Sequence, residues 1–262
     1  MKQNRLTKQQ DWEDYWDKLK LPAEIKKSKN NLYLNEILKI FDKFLPKNSN
    51  LSILEIGGAP GQYLAYMQKN FHYKIHALDY SSIGCRKTKE NFDLLNLKGI
   101  IYQRDLFSHD LSDLPKFDIV YSQGFIEHFL DLEKVIEKHL ELLKPGGILL
   151  IGTPNFLGIN HLVLKKLAPR LIAQHNLSSM DIRNWENFEK RFKLKVIFKG
   201  YIGGFEPRIY HYENRMFLNR LIYIFFRGIR IITDNLKFLR KFNSKYWSGY
   251  VIGVYRKPGQ KQ

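Results

Sequence analysis

Apolar runs of strand length alternate along this chain with stretches of helical period, and this alternation restricts the possible folds more than any other feature. The predicted strands are Leu51–Gly57, Lys74–Tyr80, Ile100–Leu106, Phe117–Ser122, Gly147–Thr153, Leu194–Ile202 and Gly249–Arg256. The predicted helices among them are Gly61–Asn70, Ile83–Leu95, Leu132–Leu143 and Met180–Phe192. Repeated β-α units with right-handed crossovers build a mostly parallel sheet with helices on both faces. The sequence therefore predicts an α/β fold with a doubly wound, seven-stranded sheet.

Three stretches fall outside this alternation: residues 8–46, 155–179 and 207–246. The first is predicted as a helical cap of two amphipathic helices, one with Trp12, Tyr15 and Trp16 and the other running from Leu32 to Leu45. The last is predicted as a helical insertion before the final strand. Because the chain has no internal repeat and no low-complexity linker, we expect residues 1–262 to form one domain.

The composition is that of a globular protein with a basic surface. Of the 262 residues 44% are hydrophobic, and 43 Lys and Arg against 26 Asp and Glu give a net charge of +17. This charge fits a polyanionic partner, or it reflects an AT-rich coding sequence that favours Lys, and both interpretations stay open. The first fifteen residues are polar, so we expect no signal peptide and a cytoplasmic location. Cys85 is the only cysteine in the sequence, which excludes an intrachain disulfide.

A glycine-rich turn lies directly between the first strand and the following helix, in the segment LSILEIGGAPGQYL. Such turns lie at the carboxyl edge of a parallel sheet, where ligands bind. A dinucleotide site has the pattern G-x-G-x-x-G, but counted from Gly57 this chain has Ala59 and Gln62 at the second and third glycines. Glu55 would also repel a pyrophosphate, whereas it favours an ammonium group. The turn therefore suits a cofactor that carries an amino acid better than a nicotinamide dinucleotide.

The same turn resembles the first motif of the class I S-adenosylmethionine-dependent methyltransferases, an acidic residue followed by alternating glycines. Glu55, Gly57 and Gly61 match that motif, with Ala59 at its middle glycine. The segments IHALDYS, YQRDLF, FDIVYSQGFIEHF and LKPGGILLIGTPN resemble the family's later motifs in the right order. The pattern is most similar to methyltransferases of small molecules and of quinone biosynthesis. The resemblance implies S-adenosylmethionine as the cofactor, a cofactor-binding half over residues 47–155 and a substrate-side half over residues 156–262.

The resemblance also assigns roles to residues near the strand ends. Asp79 stands where the family's acidic residue accepts hydrogen bonds from the ribose, and Asp105 where the adenine amino group is commonly met. The expected cofactor-binding residues are Glu55, Gly57, Gly58, Ala59, Gly61, Asp79, Tyr80, Asp105, Leu106, Ser122 and Gln123. The alternative is that Asp79 caps the helix beginning near Ser82 and that Asp105 is a solvated surface residue.

His128 is the predicted catalytic residue. Methyl transfer is an in-line displacement at an activated carbon, and a hydroxyl or amine acceptor also needs a base. His128 follows the fourth strand, at the edge expected to face the sulfonium, and an imidazole has a pKa suited to proton transfer. The alternative is a structural role, in which His128 only forms a hydrogen bond to the cofactor or backbone.

Two further chemistries are disfavoured in this segment. Some quinone-biosynthesis O-methyltransferases with a similar IEH segment bind a divalent metal with an additional acidic residue three positions before the Glu. Gly124 stands there in this chain, so we expect no metal at Glu127 and His128. The segment YSQGF also lacks the Asn/Asp-Pro-Pro-aromatic pattern of enzymes that methylate amino groups of nucleic acids. We therefore expect no nucleic-acid acceptor.

The regions expected to bind the acceptor, which are the N-terminal cap and the insertions after the fifth and sixth strands, show the least resemblance to known families. Trp12, Tyr15 and Trp16 either close over the cofactor, line the acceptor pocket or form the core of the cap. The span from Arg208 to Tyr246 has nine Lys and Arg against two acidic residues. One helical stripe there contains Arg220, Tyr223, Arg227, Arg230, Asp234, Lys237 and Lys241. Residues 216–242 therefore either contact an anionic membrane or form a cap helix buried against the core or a partner subunit.

These observations predict an S-adenosylmethionine-dependent methyltransferase that acts at oxygen on a small-molecule, lipid-linked or glycan acceptor. If the insertion contacts a membrane rather than the core or a partner subunit, the protein would lie on the inner face of that membrane. Two alternatives from other classes stay open. One is a nicotinamide-dependent Rossmann oxidoreductase, and the other is a basic protein that binds membrane or nucleic acid without catalysis.

Overall fold

The computed structural model describes residues 5–27, 31–48, 50–107, 110–205, 217–235 and 242–259. Within these residues seven strands form one sheet: β1 Ser52–Ile56, β2 Lys74–Asp79, β3 Gly99–Gln103, β4 Phe117–Gln123, β5 Leu143–Pro154, β6 Lys195–Ile202 and β7 Tyr250–Arg256. Their order across the sheet is β3-β2-β1-β4-β5-β7-β6. Strands β1 to β5 run parallel, and β7 runs antiparallel to both β5 and β6. The predicted seven-stranded, mostly parallel α/β sheet is confirmed.

Helices cover both faces of the sheet and connect the parallel strands, except that β4 follows β3 with no helix in the described residues between them. They are α1 Gln9–Asp17, α2 Leu32–Phe44, α3 Gln62–Phe71, α4 Ser82–Leu94, α5 Leu132–Leu142, α6 Ile159–Leu167, α7 Pro169–Ala173, α8 Trp185–Arg191 and α9 Phe217–Asn235. The chain builds outward from β1 to β3 and then returns to place β4 on the other side of β1. At this reversal the loops after β1 and β4 diverge, which opens a crevice at the carboxyl edge of the sheet.

Burial of the strands in the core explains why they appear in the sequence as apolar runs. Along β1 successive side chains point to opposite faces, so that Ile53 packs with Phe41 of α2 and Leu54 belongs to the layer that holds Val135 of α5. Both faces are covered by helices, and a strand buried on both faces is apolar at every position. This arrangement leaves the strand ends as the places where polar residues reach a site.

Some predicted boundaries are wrong. The predicted helix Met180–Phe192 begins only at Trp185, after a single tight turn at Leu177–Met180. The Asp181 carboxylate accepts a hydrogen bond from the Arg183 amide at 3.1 Å, and this local turn competes with helical hydrogen bonding.

Two strands differ from prediction as well. Strand β5 begins at Leu143 rather than Gly147, because Leu143 pairs with Phe117 of β4. Strand β3 ends at Gln103 rather than Leu106. The chain turns after Gln103, because the Asp105 carboxylate accepts a hydrogen bond from the Phe107 amide.

Residues 8–46 and the insertion before the last strand contain helices, as predicted, and residues 155–179, for which no element was predicted, contain α6 and α7. Helix α1 packs on α4, and this contact holds the N-terminal segment across the carboxyl edge of the sheet. Helix α9 packs on α6. Of the predicted basic stripe, Lys237 and Lys241 and the side chains of Arg230 and Asp234 lie outside the described residues. In the part of the chain that the structure describes, no helix is both long and apolar enough to cross a bilayer.

Candidate active site

The turn after β1 approaches its neighbours too closely for side chains at two positions. Gly57 has a φ of 67°, and a Cβ there would lie 2.4 Å from the ring of Phe125. A Cβ on Gly58 would lie 2.1 Å from the carboxyl carbon of Glu55. The bare backbone of this turn lines the crevice, so a ligand can approach its peptide groups directly.

Glu55 places a buried carboxyl beside this turn. Its side chain is 1% exposed, and its Oε2 atom has no hydrogen-bond partner among the residues that the structure describes. Burial raises the pKa of this carboxyl well above its ordinary value. An ammonium group placed against Glu55 would restore the charged form and supply the missing partner. The residue thus fits the amino-acid end of S-adenosylmethionine.

Asp79 ends β2 on the floor of the crevice, next to Tyr80 and Leu106. The N-cap of α4 is Ser81, whose Oγ accepts a hydrogen bond from the Gly84 amide at 2.8 Å, so Asp79 is not the helix cap. The Asp79 carboxylate accepts a hydrogen bond from the Ser81 amide at 2.9 Å. Burial raises the pKa of Asp79 to about 7. A pair of ribose hydroxyls donating to this carboxyl would stabilise its charged form.

Asp105 lies beside the cavity without lining it, because Arg5 lies against it. The Arg5 guanidinium forms an ion pair with the Asp105 carboxylate, and its Cζ is 4.6 Å from the centre of the Tyr80 ring. The Leu6 amide then donates a hydrogen bond to the carbonyl of His128 at 2.9 Å. The N-terminal segment therefore closes the outer side of the cavity above Asp79, a contact for which the sequence has no recognisable motif.

The two predicted residues at the end of β4 face different surroundings. Gln123 lines the crevice, and neither polar atom of its buried amide has a partner within the described residues. Ser122 points away from the crevice, and its hydroxyl lies 3.0 Å from Nε2 of His139 on α5. The structure therefore brings Gln123 to the site with Glu55 and Asp79, and it places Ser122 in the core behind it.

His128 forms part of the wall shared by two adjoining cavities, one above Asp79 and one beyond the glycine turn. Its Nδ1 donates to the Gln174 carbonyl at 3.1 Å, and this hydrogen bond leaves the lone pair on Nε2. The ring meets Trp12 edge-to-face, with 4.9 Å between the ring centres. Burial, together with the neighbouring His175, lowers the pKa of His128 to about 3. The imidazole is therefore neutral at physiological pH, and it is a much weaker base than the ordinary imidazole on which the prediction of proton transfer rested.

His175 is a site residue that the sequence did not indicate. Its Nδ1 lies 2.6 Å from the Leu171 carbonyl, and its ring is 4.5 Å from that of His128. Ligand atoms of Glu127, His128 and His175 lie within 4.8 Å of one another, a donor set able to hold a divalent metal ion. The expectation of no metal rested on Gly124 and stays a prediction. Spacing along the chain could not bring in His175, which comes from the segment after α7.

The cavity beyond the glycine turn is the larger of these two and has a volume of about 610 Å³. Aromatic side chains line it, and of these the sequence indicated only Trp12, Tyr15 and Trp16. Tyr33 of α2 stacks on Tyr250 of β7, with 3.6 Å between ring centres. The Tyr33 hydroxyl lies 3.1 Å from that of Tyr63. These three tyrosines come from distant parts of the chain and meet only in the folded protein.

Comparison with known proteins identifies the family. The sequence model of a family described as a methyltransferase domain matches residues 29–197, more than half of the chain. The chain belongs to this methyltransferase family. A ubiquinone biosynthesis O-methyltransferase of Pelagibacter ubique (strain HTCC1062) is 27% identical over 186 residues, which cover 68% of this chain and 70% of that protein. A protein of the same name from Chelativorans sp. (strain BNC1) is 31% identical over 111 residues, 40% of this chain and 41% of its own length.

Solved methyltransferases share the fold. The geranyl diphosphate C-methyltransferase of Streptomyces coelicolor A3(2) aligns with a TM-score of 0.61 at 11% identity, covering 95% of this chain and 98% of that one. The phosphoethanolamine N-methyltransferase 2 of Haemonchus contortus, in complex with S-adenosyl-L-methionine, aligns with a TM-score of 0.54 at 20% identity, covering 86% of this chain and 52% of that one. The methyltransferase described here uses S-adenosylmethionine as its cofactor, as predicted, and the nicotinamide alternative is set aside.

Proposed function

We propose that this methyltransferase transfers the methyl group to a hydroxyl oxygen of a small amphiphilic acceptor. The observation that carries the proposal is the position of His128, in the wall between the cavity above Asp79 and the larger aromatic cavity. A hydroxyl in the larger cavity could therefore face both a methyl donor and the imidazole. The two ubiquinone biosynthesis O-methyltransferases among the relatives support an oxygen acceptor.

His128 accepts the acceptor's proton in this proposal. Bound S-adenosylmethionine supplies a methyl group on a positively charged sulfur, so the side chains align the acceptor, exclude water and take up one proton. As the O–CH3 bond forms and the S–CH3 bond breaks, the hydroxyl proton passes to Nε2 of His128. Oε1 of Glu127 lies 3.8 Å from Nε2 and stabilises the resulting positive charge. With a pKa of about 3, His128 is too weak a base to deprotonate a free hydroxyl, so the proton moves to Nε2 only as the methyl group bonds to the oxygen and makes the O–H group strongly acidic. The proton then leaves readily to water and the base is restored.

The lining of the larger cavity supports an apolar acceptor head. Trp12, Tyr33, Tyr250 and Phe156 present ring surfaces to it, while Gln123 and Glu127 provide the polar atoms near the proposed reaction point. Rings of this kind gain contact energy from burying a flat apolar group, and the few polar atoms fix its orientation. The cavity therefore suits a ring-bearing acceptor with one reactive hydroxyl, including one attached to a lipid tail.

The proposal is tested by incubating the protein with methyl-labelled S-adenosylmethionine and fractionated metabolites and lipids of its source organism. We expect label in an amphiphilic fraction, in a methyl ether that withstands mild alkali. Excess S-adenosylhomocysteine should abolish the incorporation. Label on nitrogen, or label confined to glycans, would overturn the assignment of the acceptor while leaving the methyltransferase activity in place.

A further inference from the structure

Helix α9 packs against the protein with one face. Ile222, Tyr223 and Phe226 contact Val163 and Leu167 of α6, and these residues form a small apolar cluster of their own. Residues 222, 223 and 226 lie within about 100° of one another around the helix axis. The inner face of α9 is therefore defined by its contact with α6.

The outer face of α9 is apolar and exposed. Its residues are Leu221, Ile224, Phe225, Ile231 and Ile232, with exposed fractions of 46, 54, 63, 55 and 61% respectively. They occupy about 120° of the helix surface, on the side away from the α6 contact. A folded protein seldom leaves five large apolar side chains exposed together on one helix unless that surface binds something.

Among the side chains that the structure describes on α6 and α9, only basic charge borders this outer face; the side chain of Asp234, near the end of α9, lies outside the described residues. Arg220 and Arg227 are exposed on α9 between the inner face and the outer face, and Arg227 contacts the Tyr223 hydroxyl. Lys165 and Lys166 are exposed on α6, the helix beneath. Neither α6 nor residues 217–233 contain an Asp or Glu. An apolar face bordered by cations matches the boundary between acyl chains and anionic head groups of a lipid bilayer.

The segment under α9 also forms part of the acceptor cavity. Phe156 just before α6, and Leu171, Gln174 and His175 in and after α7, all line that cavity. Helix α6 thus contacts α9 on its outer side and leads at both ends to residues of the cavity wall. A surface bound at α9 would lie against the same part of the molecule that receives the acceptor.

We propose that the outer face of α9, with Arg220 and Arg227, docks on an anionic lipid bilayer from which the acceptor enters the cavity. The inference rests on the proposed amphiphilic acceptor. A second copy of the chain fits this face less well, because among the described side chains of α6 and α9 a two-fold contact would bring together the basic residues of both copies and no carboxylate. A nucleic acid would neutralise the arginines but leave the apolar side chains in water.

The test is sedimentation of the full chain with vesicles, either of phosphatidylcholine alone or with about a third of phosphatidylglycerol. We expect binding to the anionic vesicles only, and weaker binding as salt is raised. Arg220→Gln with Arg227→Gln should weaken binding about 30-fold, at about fivefold for each arginine. Ile224→Ser with Phe225→Ser should weaken it by at least about tenfold.

Matched control variants separate this surface from the overall basic charge. Arg86→Gln with Lys89→Gln removes the same charge from the exposed surface of α4, and Leu94→Ser with Ile100→Ser removes exposed apolar side chains elsewhere. Both controls should bind vesicles like the unchanged protein. Equal losses in controls and α9 variants would overturn the proposal, as would no vesicle binding at all. A dimer in sedimentation velocity that Ile224→Ser with Phe225→Ser dissociates would assign the face to a second copy instead.

The readout is independent of methyl transfer. Each α9 variant should bind S-adenosylhomocysteine like the unchanged protein, because none of the α9 side chains that the structure describes lines either cavity. Failure of vesicle binding with intact methyl transfer would reject the docking surface alone. Vesicle binding without any methyl transfer to oxygen would reject the proposed function alone.

Discussion

The cofactor edge and the acceptor cavity lie side by side in this protein, but they are built in opposite ways. The cofactor edge consists of strand ends and the turns that follow them, so Glu55, Asp79 and Gln123 each belong to a local motif. The acceptor cavity gathers Trp12, Tyr33, His175 and Tyr250 from four separate stretches. The cofactor edge, which is common to the family, therefore follows from backbone topology, whereas the cavity proposed to select the acceptor depends on tertiary packing.

His128 lies between the cofactor edge and the acceptor cavity, and its replacement should have the largest effect on turnover. His128→Ala should lower turnover by ~10²–10⁴-fold, because the acceptor's proton loses its receiving group, while the affinity for S-adenosylhomocysteine stays within about threefold. Turnover with labelled cofactor and calorimetric titration measure the two quantities. His72→Ala, at an exposed histidine after α3, is the control and should change neither.

A chelator distinguishes the two chemistries open to His128. If His128 acts as a base, turnover persists in EDTA. Loss of turnover in EDTA, with recovery on adding a divalent metal, would instead make Glu127, His128 and His175 metal ligands. A fall in turnover of less than about tenfold in His128→Ala would reduce this residue to a structural role.

Replacement of Asp79 tests the cofactor edge alone. Asp79→Ala should weaken S-adenosylhomocysteine binding by about 10–150-fold, because the buried ribose loses a charged acceptor worth ~1.5–3 kcal/mol. Asp118→Ala removes a carboxylate near the start of β4, where it pairs with Lys144 at the opposite edge of the sheet, and should leave the affinity unchanged. An affinity in Asp79→Ala equal to that of the unchanged protein would contradict the ribose assignment.

Acidification should weaken cofactor binding through the same residue. The pKa of Asp79 is raised to about 7 by burial, so in the free protein its carboxyl is largely protonated below that pH. Ribose hydroxyls donate best to the ionised form, so binding releases a proton and affinity falls as the pH drops below about 7. The expected loss is up to about tenfold per pH unit. Titrations from pH 5.5 to 8 measure it, and Asp79→Asn should reduce the dependence to the part that Glu55 contributes, because the pKa of Glu55 is also raised by burial.

Replacement of Arg5 tests whether the N-terminal segment contributes to cofactor binding. Of these replacements, we expect it to have the smallest effect. Arg5→Gln removes the ion pair with Asp105 and the contact with Tyr80. We expect S-adenosylhomocysteine to bind about threefold to tenfold more weakly and to dissociate faster, because the N-terminal segment closes less firmly. Stopped-flow dissociation measures this. An unchanged rate would confine cofactor binding to the strand ends.

The sequence predicted the sheet well because its signals are local. Apolar runs bounded by turns identify strands, and the helices between β1 and β2, β2 and β3, and β4 and β5 are the crossovers that parallel neighbours need. The boundary errors have tertiary or side-chain causes: Leu143 joins β5 by pairing with Phe117, and the Asp181 side chain delays α8. Such partners are not visible in periodicity.

The site shows the same division. Glu55, Gly57 and Asp79 could be predicted, because each lies within two residues of a strand end and of a recognisable motif. Arg5 and His175 could not, since neither belongs to a motif and each reaches the site through a contact with a distant segment. Their roles depend on where α1 and α7 pack, which no local pattern encodes.

A crystal structure of the complex with S-adenosylhomocysteine would show where the ribose, the ammonium group and the sulfur lie. We expect the ribose hydroxyls on Asp79, the ammonium group beside Glu55 and the sulfur facing the aromatic cavity. From there an acceptor oxygen about 3–3.5 Å from the transferred methyl carbon would also reach Nε2 of His128. A sulfur that faces away from His128, or a ligand bound outside the crevice between β1 and β4, would contradict the account.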